Sequence, residues 1–154
     1  MDVADVDPAA GLRLRLTLDA AGRFDITQAA LPESRPEWRL ALAGAPLLST
    51  DPWLTVKSTN RAAYDSARAA LPAGIDEVVF VNERGELCDG SITTLFFDRG
   101  QGMRTPPLSS GLLPGVLRAE LGCPEEVLLA QDLPHVRLWV GNALRGLIGA
   151  VWVG

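Results

Sequence analysis

Asp76-Glu-Val-Val-Phe-Val-Asn82, then Glu83-Arg-Gly85, then Glu86-Leu-Cys-Asp-Gly-Ser-Ile-Thr-Thr-Leu-Phe-Phe97 read as a strand, a tight turn and returning strands. Valine, isoleucine, threonine and phenylalanine suit a pleated, half-buried surface. Asn82-Glu-Arg-Gly85 has the composition of a hairpin turn. Asp89-Gly90 interrupts the apolar run and places a carboxylate between the return, Glu86-Leu-Cys88, and a further strand, Ser91–Phe97.

Working toward the N-terminus, helix is expected from about Asn60 to Leu71, rich in alanine and ended by Pro72 and Gly74. Leu54-Thr-Val-Lys57 before it reads as a short extended piece. Trp38 to Ala43 alternates as a strand. Leu12-Arg-Leu-Arg-Leu-Thr-Leu18 alternates strictly, and Arg23-Phe-Asp-Ile-Thr27 reads as its hairpin partner across Asp19-Ala-Ala-Gly22. Toward the C-terminus, Asp98-Arg-Gly-Gln-Gly102 is a turn. Pro114 suits the first turn of a helix to about Leu121. Strands are expected at Glu125–Leu129, Arg137–Val140 and Leu147–Val153. Many strands with two helices between them give an α+β fold with a mostly antiparallel or mixed sheet and few helices.

The 154 residues are 47% apolar, enough for a packed domain. No apolar run nears the roughly 20 residues that span a bilayer, so no membrane partner is expected. The opening Met1-Asp-Val-Ala-Asp-Val-Asp7 is acidic, unlike a secretory signal, and points to a cytoplasmic protein. Nineteen acidic against fourteen basic residues leave a net charge of −5. The basic residues are scattered, which argues against a nucleic-acid partner. Two cysteines and one histidine, His135, cannot supply the about four ligands of a structural zinc site, so no metal site is expected.

One of the fourteen cations is a lysine, Lys57. A coding bias toward arginine gives the same count as a chemical need for one amine. Lys57-Ser-Thr-Asn-Arg61 lies where an extended piece meets a helix. An amine partly desolvated there loses its proton more easily and attacks carbonyls. Most lone lysines are solvated surface charges instead. Asp89 could partner a heterocyclic nitrogen or serve only as a turn aspartate. Ser109-Ser-Gly-Leu-Leu-Pro-Gly-Val-Leu-Arg118 leads through glycines into a helix, and offers free N–H groups to a phosphate or a plain helix start. Gly141-Asn142-Ala143 is a further small-residue loop. Trp53, Trp139 and Trp152 read as core or interface.

Taken in order, Lys57-x-x-Asn60-Arg61, Asp89-Gly90 before an apolar strand, Thr105-Pro-Pro-Leu108, Gly111-Leu-Leu-Pro-Gly-Val-Leu-Arg118 and Trp139-Val-Gly-Asn-Ala-Leu-Arg-Gly146 resemble the class IV aminotransferases of fold type IV. That family includes branched-chain and D-amino-acid aminotransferases and 4-amino-4-deoxychorismate lyases. The resemblance implies pyridoxal 5′-phosphate as cofactor. It implies that Lys57 binds the cofactor as a Schiff base and later carries the Cα proton. Asp89 would pair with the pyridinium nitrogen where the family has glutamate. Leu113 would pack on the ring, Val116 and Leu117 would offer backbone N–H groups to the phosphate, and Asn142 would add a contact. Threonine is frequent in the family near Leu117 and Asn142, and this chain lacks those hydroxyls.

By the same resemblance, residues 1–50 are the end or linker of an N-terminal region with the first strands of the large domain, and residues 51–154 are the cofactor domain. A homodimer acting on a small amino substrate is implied. Asn60-Arg61 and Gly141 to Gly146 stand closer to the lyase branch, with transaminase and lyase nearly level. A truncated, non-catalytic family member that only binds a partner is the alternative. A nucleotide-phosphate binder that ignores Lys57 is a third.

Overall fold

The computed structural model describes residues 11–33 and 35–154. The acidic opening, Met1–Asp7, lies outside the described residues. The chain divides into two compact units, Met1–Ser34 and Arg35–Gly154.

The first unit is a hairpin of β1 (Leu12–Leu18) and β2 (Phe24–Ala30). The Asp19 carboxylate accepts the N–H groups of Ala21 and Arg23 and pairs with the Arg23 guanidinium at 2.8 Å, which closes the turn. Pairing sets Leu16 opposite Ile26 and Leu18 opposite Phe24. Side chains alternate across a strand, so the apolar residues share one face. That face is exposed: Leu14 at 64%, Ile26 at 65% and Phe24 at 66%.

The second unit contains β3 (Glu37–Leu42), α1 (Ala62–Ala69), β4 (Glu77–Val81), β5 (Leu87–Gly90), β6 (Thr94–Asp98), α2 (Val116–Leu121), β7 (Arg137–Asn142) and β8 (Gly146–Trp152). Its six strands form one sheet in the order β5-β4-β3-β8-β7-β6. β3 runs parallel to both β4 and β8, and the other pairings are antiparallel. The fold is therefore α+β with a mixed sheet and few helices. Residues 35–50 belong to this unit, and Trp38 and Leu40 of β3 are core.

Alternation divides the core between the two sheet faces. Leu40, Val79, Leu87, Leu95, Phe97 and Val140 pack on one face. Ala41, Val78, Phe80 and Cys88 pack on the other with Leu54 and Leu112, and Tyr64 and Ala67 of α1 lie against them. Each fully buried leucine or phenylalanine stabilises by roughly 1.5–3 kcal/mol before chain entropy is counted. No helix among the described residues is long and apolar enough to cross a membrane.

Three local expectations are corrected. Leu54 and Thr55 close a 3₁₀ turn, Pro52–Thr55, rather than opening an extended segment, because Asp51 accepts the Trp53 N–H at 2.9 Å and Pro52 fixes the first turn. Glu125–Leu129 forms only isolated bridges to Thr105 and Glu86 instead of a strand. β6 begins at Thr94 rather than Ser91, because residues 91–93 are taken by hydrogen bonds outside the ladder.

Gly141 sits where β7 meets α2. A Cβ there would collide with the Gly146 carbonyl oxygen and come within 2.7 Å of Leu117 Cδ2, whereas Gly44 faces open space. Gly141→Ala should cost about 1–3 kcal/mol in urea unfolding, and Gly44→Ala should stay within about 0.5 kcal/mol. Equal losses at both sites would contradict this packing.

Candidate active site

The acid-bearing strand owes its geometry to a β-bulge. Val79 pairs with Gly90 and Val81 with Leu87, so β5 carries one residue more than β4 between these pairs. Such an extra residue bends the strand and re-aims a side chain. Without it, Asp89 would follow Leu87 onto the first core face. With it, Asp89 lies beside Cys88 on the face that carries α1 and Leu112. Its Oδ2 accepts the Leu113 N–H at 2.9 Å. Its Oδ1 is buried and has no partner among the described residues. Burial pushes the Asp89 carboxyl up to about 7, against the Leu113 N–H and the positive charges of Arg118 and Lys57, which favour the anion. The neighbouring Cys88 thiol is pushed up to about 12, mainly by burial.

Lys57 follows the 3₁₀ turn, whose Leu54 turns into the core while Trp53 and Val56 stay exposed. Lys57 is exposed as well, the solvated of the two states open to it from sequence. Its positive charge favours the Asp89 anion, the least of the effects acting on that carboxyl. Four residues on, the Arg61 guanidinium donates to the Ser91 carbonyl at 2.6 Å and lies 5.2 Å from the Tyr64 ring centroid. Tyr64 packs edge-on against Phe80 at 4.9 Å. This ties the start of α1 to the turn that follows Asp89.

The glycine-rich loop approaches the same carboxylate. Gly111 has φ of 90°, and a Cβ there would lie 2.8 Å from the Ser49 Cα, so only glycine fits. The Ser110 carbonyl accepts from Asn82 at 3.0 Å and the Ser110 hydroxyl donates to Glu86 at 2.8 Å. With Leu112 buried in the core, Leu113 is held over Asp89. Gly115 then opens α2, and a Cβ on it would stand 3.3 Å from the Thr94 hydroxyl. Among the described residues no backbone carbonyl takes the N–H groups of Val116 or Leu117. The Val116 side chain is exposed, and Leu117 is half-buried against Gly141.

Asn142 stands at the end of β7. Its side-chain oxygen accepts from Leu144 at 3.1 Å and Arg145 at 2.9 Å, and its amide donates to the Ile92 carbonyl at 2.9 Å. Most of its hydrogen-bonding capacity is therefore spent on the β7–β8 turn.

The structure thus joins Asp89 to Leu113, Leu117 to Gly141, and Asn142 and Arg61 to the 91–93 turn. A separate open groove along β7 and β8, lined by Pro134, Leu138, Trp139 and Trp152, holds none of the candidate residues. Sequence reasoning passed over Glu77 and Thr94. The available signal for Glu77 was a glutamate inside an otherwise apolar strand.

The family model described as "Amino-transferase class IV" matches residues 2–151. A Mesorhizobium loti protein assigned as an amino-acid aminotransferase is 40% identical, with 92% of this chain and 73% of that one covered and a TM-score of 0.88. A Legionella pneumophila protein assigned as a 4-amino-4-deoxychorismate lyase shares 22% identity over 84% of this chain and 52% of its own, at a TM-score of 0.75. A Thermotoga maritima protein assigned as a branched-chain amino acid aminotransferase shares 21% over 92% and 56%, at 0.77. The last two likenesses show the fold alone, and the chain spans little more than half their length. Among curated proteins none matches the chain. The match over nearly the whole sequence and the 40% identity together establish that the chain belongs to the class IV aminotransferase family.

Proposed function

We propose that the Arg35–Gly154 unit is the cofactor-holding part of a pyridoxal 5′-phosphate-dependent aminotransferase or lyase, with Lys57 as its covalent attachment point. The observation that carries this reading is the Asp89 carboxylate, buried with one oxygen unpartnered. An unsatisfied buried acceptor costs about 1–3 kcal/mol, more when charged. A cationic ring N–H reaching Oδ1 would remove that cost and favour the anion. The residues present therefore fit the cofactor. When bound, it supplies an electron sink for the substrate's Cα.

Asp89 would keep the ring nitrogen protonated by accepting its N–H. Leu113, fixed through its own N–H to the same carboxylate, would pack on the ring face. The free N–H groups of Val116 and Leu117 offer donors to the phosphate. Asn142 holds the β7–β8 turn in place, with one amide N–H left for a phosphate contact. The Lys57 amine takes the Cα proton and returns it. A small amino substrate is the reading, first an amino acid, on the strength of the 40% identical aminotransferase. Aminodeoxychorismate is second, favoured by Asn60-Arg61 and Gly141–Gly146.

The exposure of Lys57 favours a site completed by further residues, and a homodimer is the arrangement we propose for this. The same exposure supports the alternative of a non-catalytic relative. A cytoplasmic location belongs to the same reading.

Titration of the protein with pyridoxal phosphate should produce a visible absorbance band. Lys57→Ala should abolish the band and leave the melting temperature unchanged. Absence of the band from the parent protein would sink the assignment.

The Asp89 carboxyl is pushed up to about 7 in the folded chain, above the ordinary 3.8, so between these values the folded chain keeps a proton that the unfolded chain has released. This contribution therefore weakens folding as pH rises from about 4 to 7. In cofactor-free protein, Asp89→Asn should gain roughly 1–4 kcal/mol on the parent between pH 4 and pH 8. Urea unfolding at both pH values reads the gap. A gap independent of pH would show that Asp89 titrates normally.

A further inference from the structure

Glu77 begins β4, is fully buried, and plays no part in the site described above. Its Oε1 accepts the N–H of Val78 at 3.0 Å, the N–H of Ser91 at 3.0 Å and the Ser91 hydroxyl at 2.5 Å. Its Oε2 accepts the N–H of Ile92 at 3.1 Å and the Thr93 hydroxyl at 2.9 Å. Arg68 of α1 stands 3.5 Å away and balances the charge. Four of the five donors belong to the Ser91–Thr93 turn, which directly follows Asp89-Gly90. The carboxylate fits so closely that a Cβ on Gly90 would lie 2.8 Å from it and 2.5 Å from the Thr93 hydroxyl.

Two carbonyls of the same turn face other segments. Ser91 accepts from Arg61, which ends the Lys57 segment, and Ile92 accepts from Asn142. Four of the turn's donors go to Glu77. Its Ser91 and Ile92 carbonyls go to the elements that bear the amine and the phosphate-side loop, while its Thr93 carbonyl accepts the Gly90 N–H at 2.8 Å. A buried charge holds its donors in place because losing any one leaves it uncompensated.

We propose that Glu77 is a positioning residue for the cofactor site: through the Ser91–Thr93 turn it fixes Asp89, the Lys57 segment and the Asn142 loop relative to one another. The proposal rests on the reading of this site as a pyridoxal phosphate site. Glu77 itself touches neither cofactor nor substrate.

The test compares Glu77→Gln, Thr93→Val and Thr93→Ser in the full chain. One measurement is the pyridoxal phosphate dissociation constant from the visible band. The other, on cofactor-free protein, is NMR hydrogen exchange at the Leu113 N–H and the Asn142 side-chain amide. Glu77→Gln and Thr93→Val should weaken cofactor binding roughly tenfold and speed exchange at both reporters. Thr93→Ser keeps the hydroxyl and should restore both readouts, which a general loss of packing would not do. Unchanged binding and unchanged exchange in folded Glu77→Gln and Thr93→Val overturn the proposal. If Glu77→Gln does not fold, the Thr93 pair decides. If the parent takes up no cofactor, the reading of the site fails, while the exchange data still decide the positioning: unchanged rates overturn it, and faster rates uphold it for whatever ligand the three segments hold.

Discussion

The Glu77 carboxylate enters the sheet interior, where water cannot reach it, and five donors close around it. A lone buried carboxylate would take up a proton or unfold its surroundings. Here the chain folds its own N–H and hydroxyl groups onto the charge, and this fixes the path from β5 to β6. The delayed start of β6, the need for glycine at position 90 and the capture of Arg61 and Asn142 by the turn all follow from it. The candidate site is built around this irregular turn rather than on regular ladder alone, with the sheet as its rigid support.

Much of the architecture was legible in the residues. Alternation marked β1 and β3, and valine- and phenylalanine-rich runs marked β4 and β6. Alanine, with Pro72 and Gly74 beyond, marked α1. What could not be read was settled by particular hydrogen bonds. Leu54 looked extended, but the Asp51 cap wound its neighbours into a turn. Glu125 to Leu129 had the composition of a strand and found only single bridging partners. The parallel pairing of β3 with both β4 and β8 has no local signal, because it joins residues far apart in the chain.

The site residues show the same division. Asp89 stood out as a carboxylate between apolar strands, but its face depends on a bulge that no residue pattern announces. Lys57 stood out by being alone, while its exposure depends on which residue of the preceding turn points inward. Asn142 carried a motif whose side chain mostly serves its own turn. Motifs located the segments. The atoms left free within them emerged only once every donor and acceptor was placed.

The sheet order bears on how the second unit comes into being. β3, its first strand, and β8, its last, are neighbours at the middle of the sheet. Each pairs in parallel on that seam, so until β8 has been synthesised both β3 and β7 present an open edge. The unit's assembly is thus gated by its final segment, and pairing over so long a separation in sequence makes for slow folding. During that interval the nascent chain offers two bare strands to any other extended polypeptide, a vulnerability that ends only when the last seven-residue strand slots into the centre.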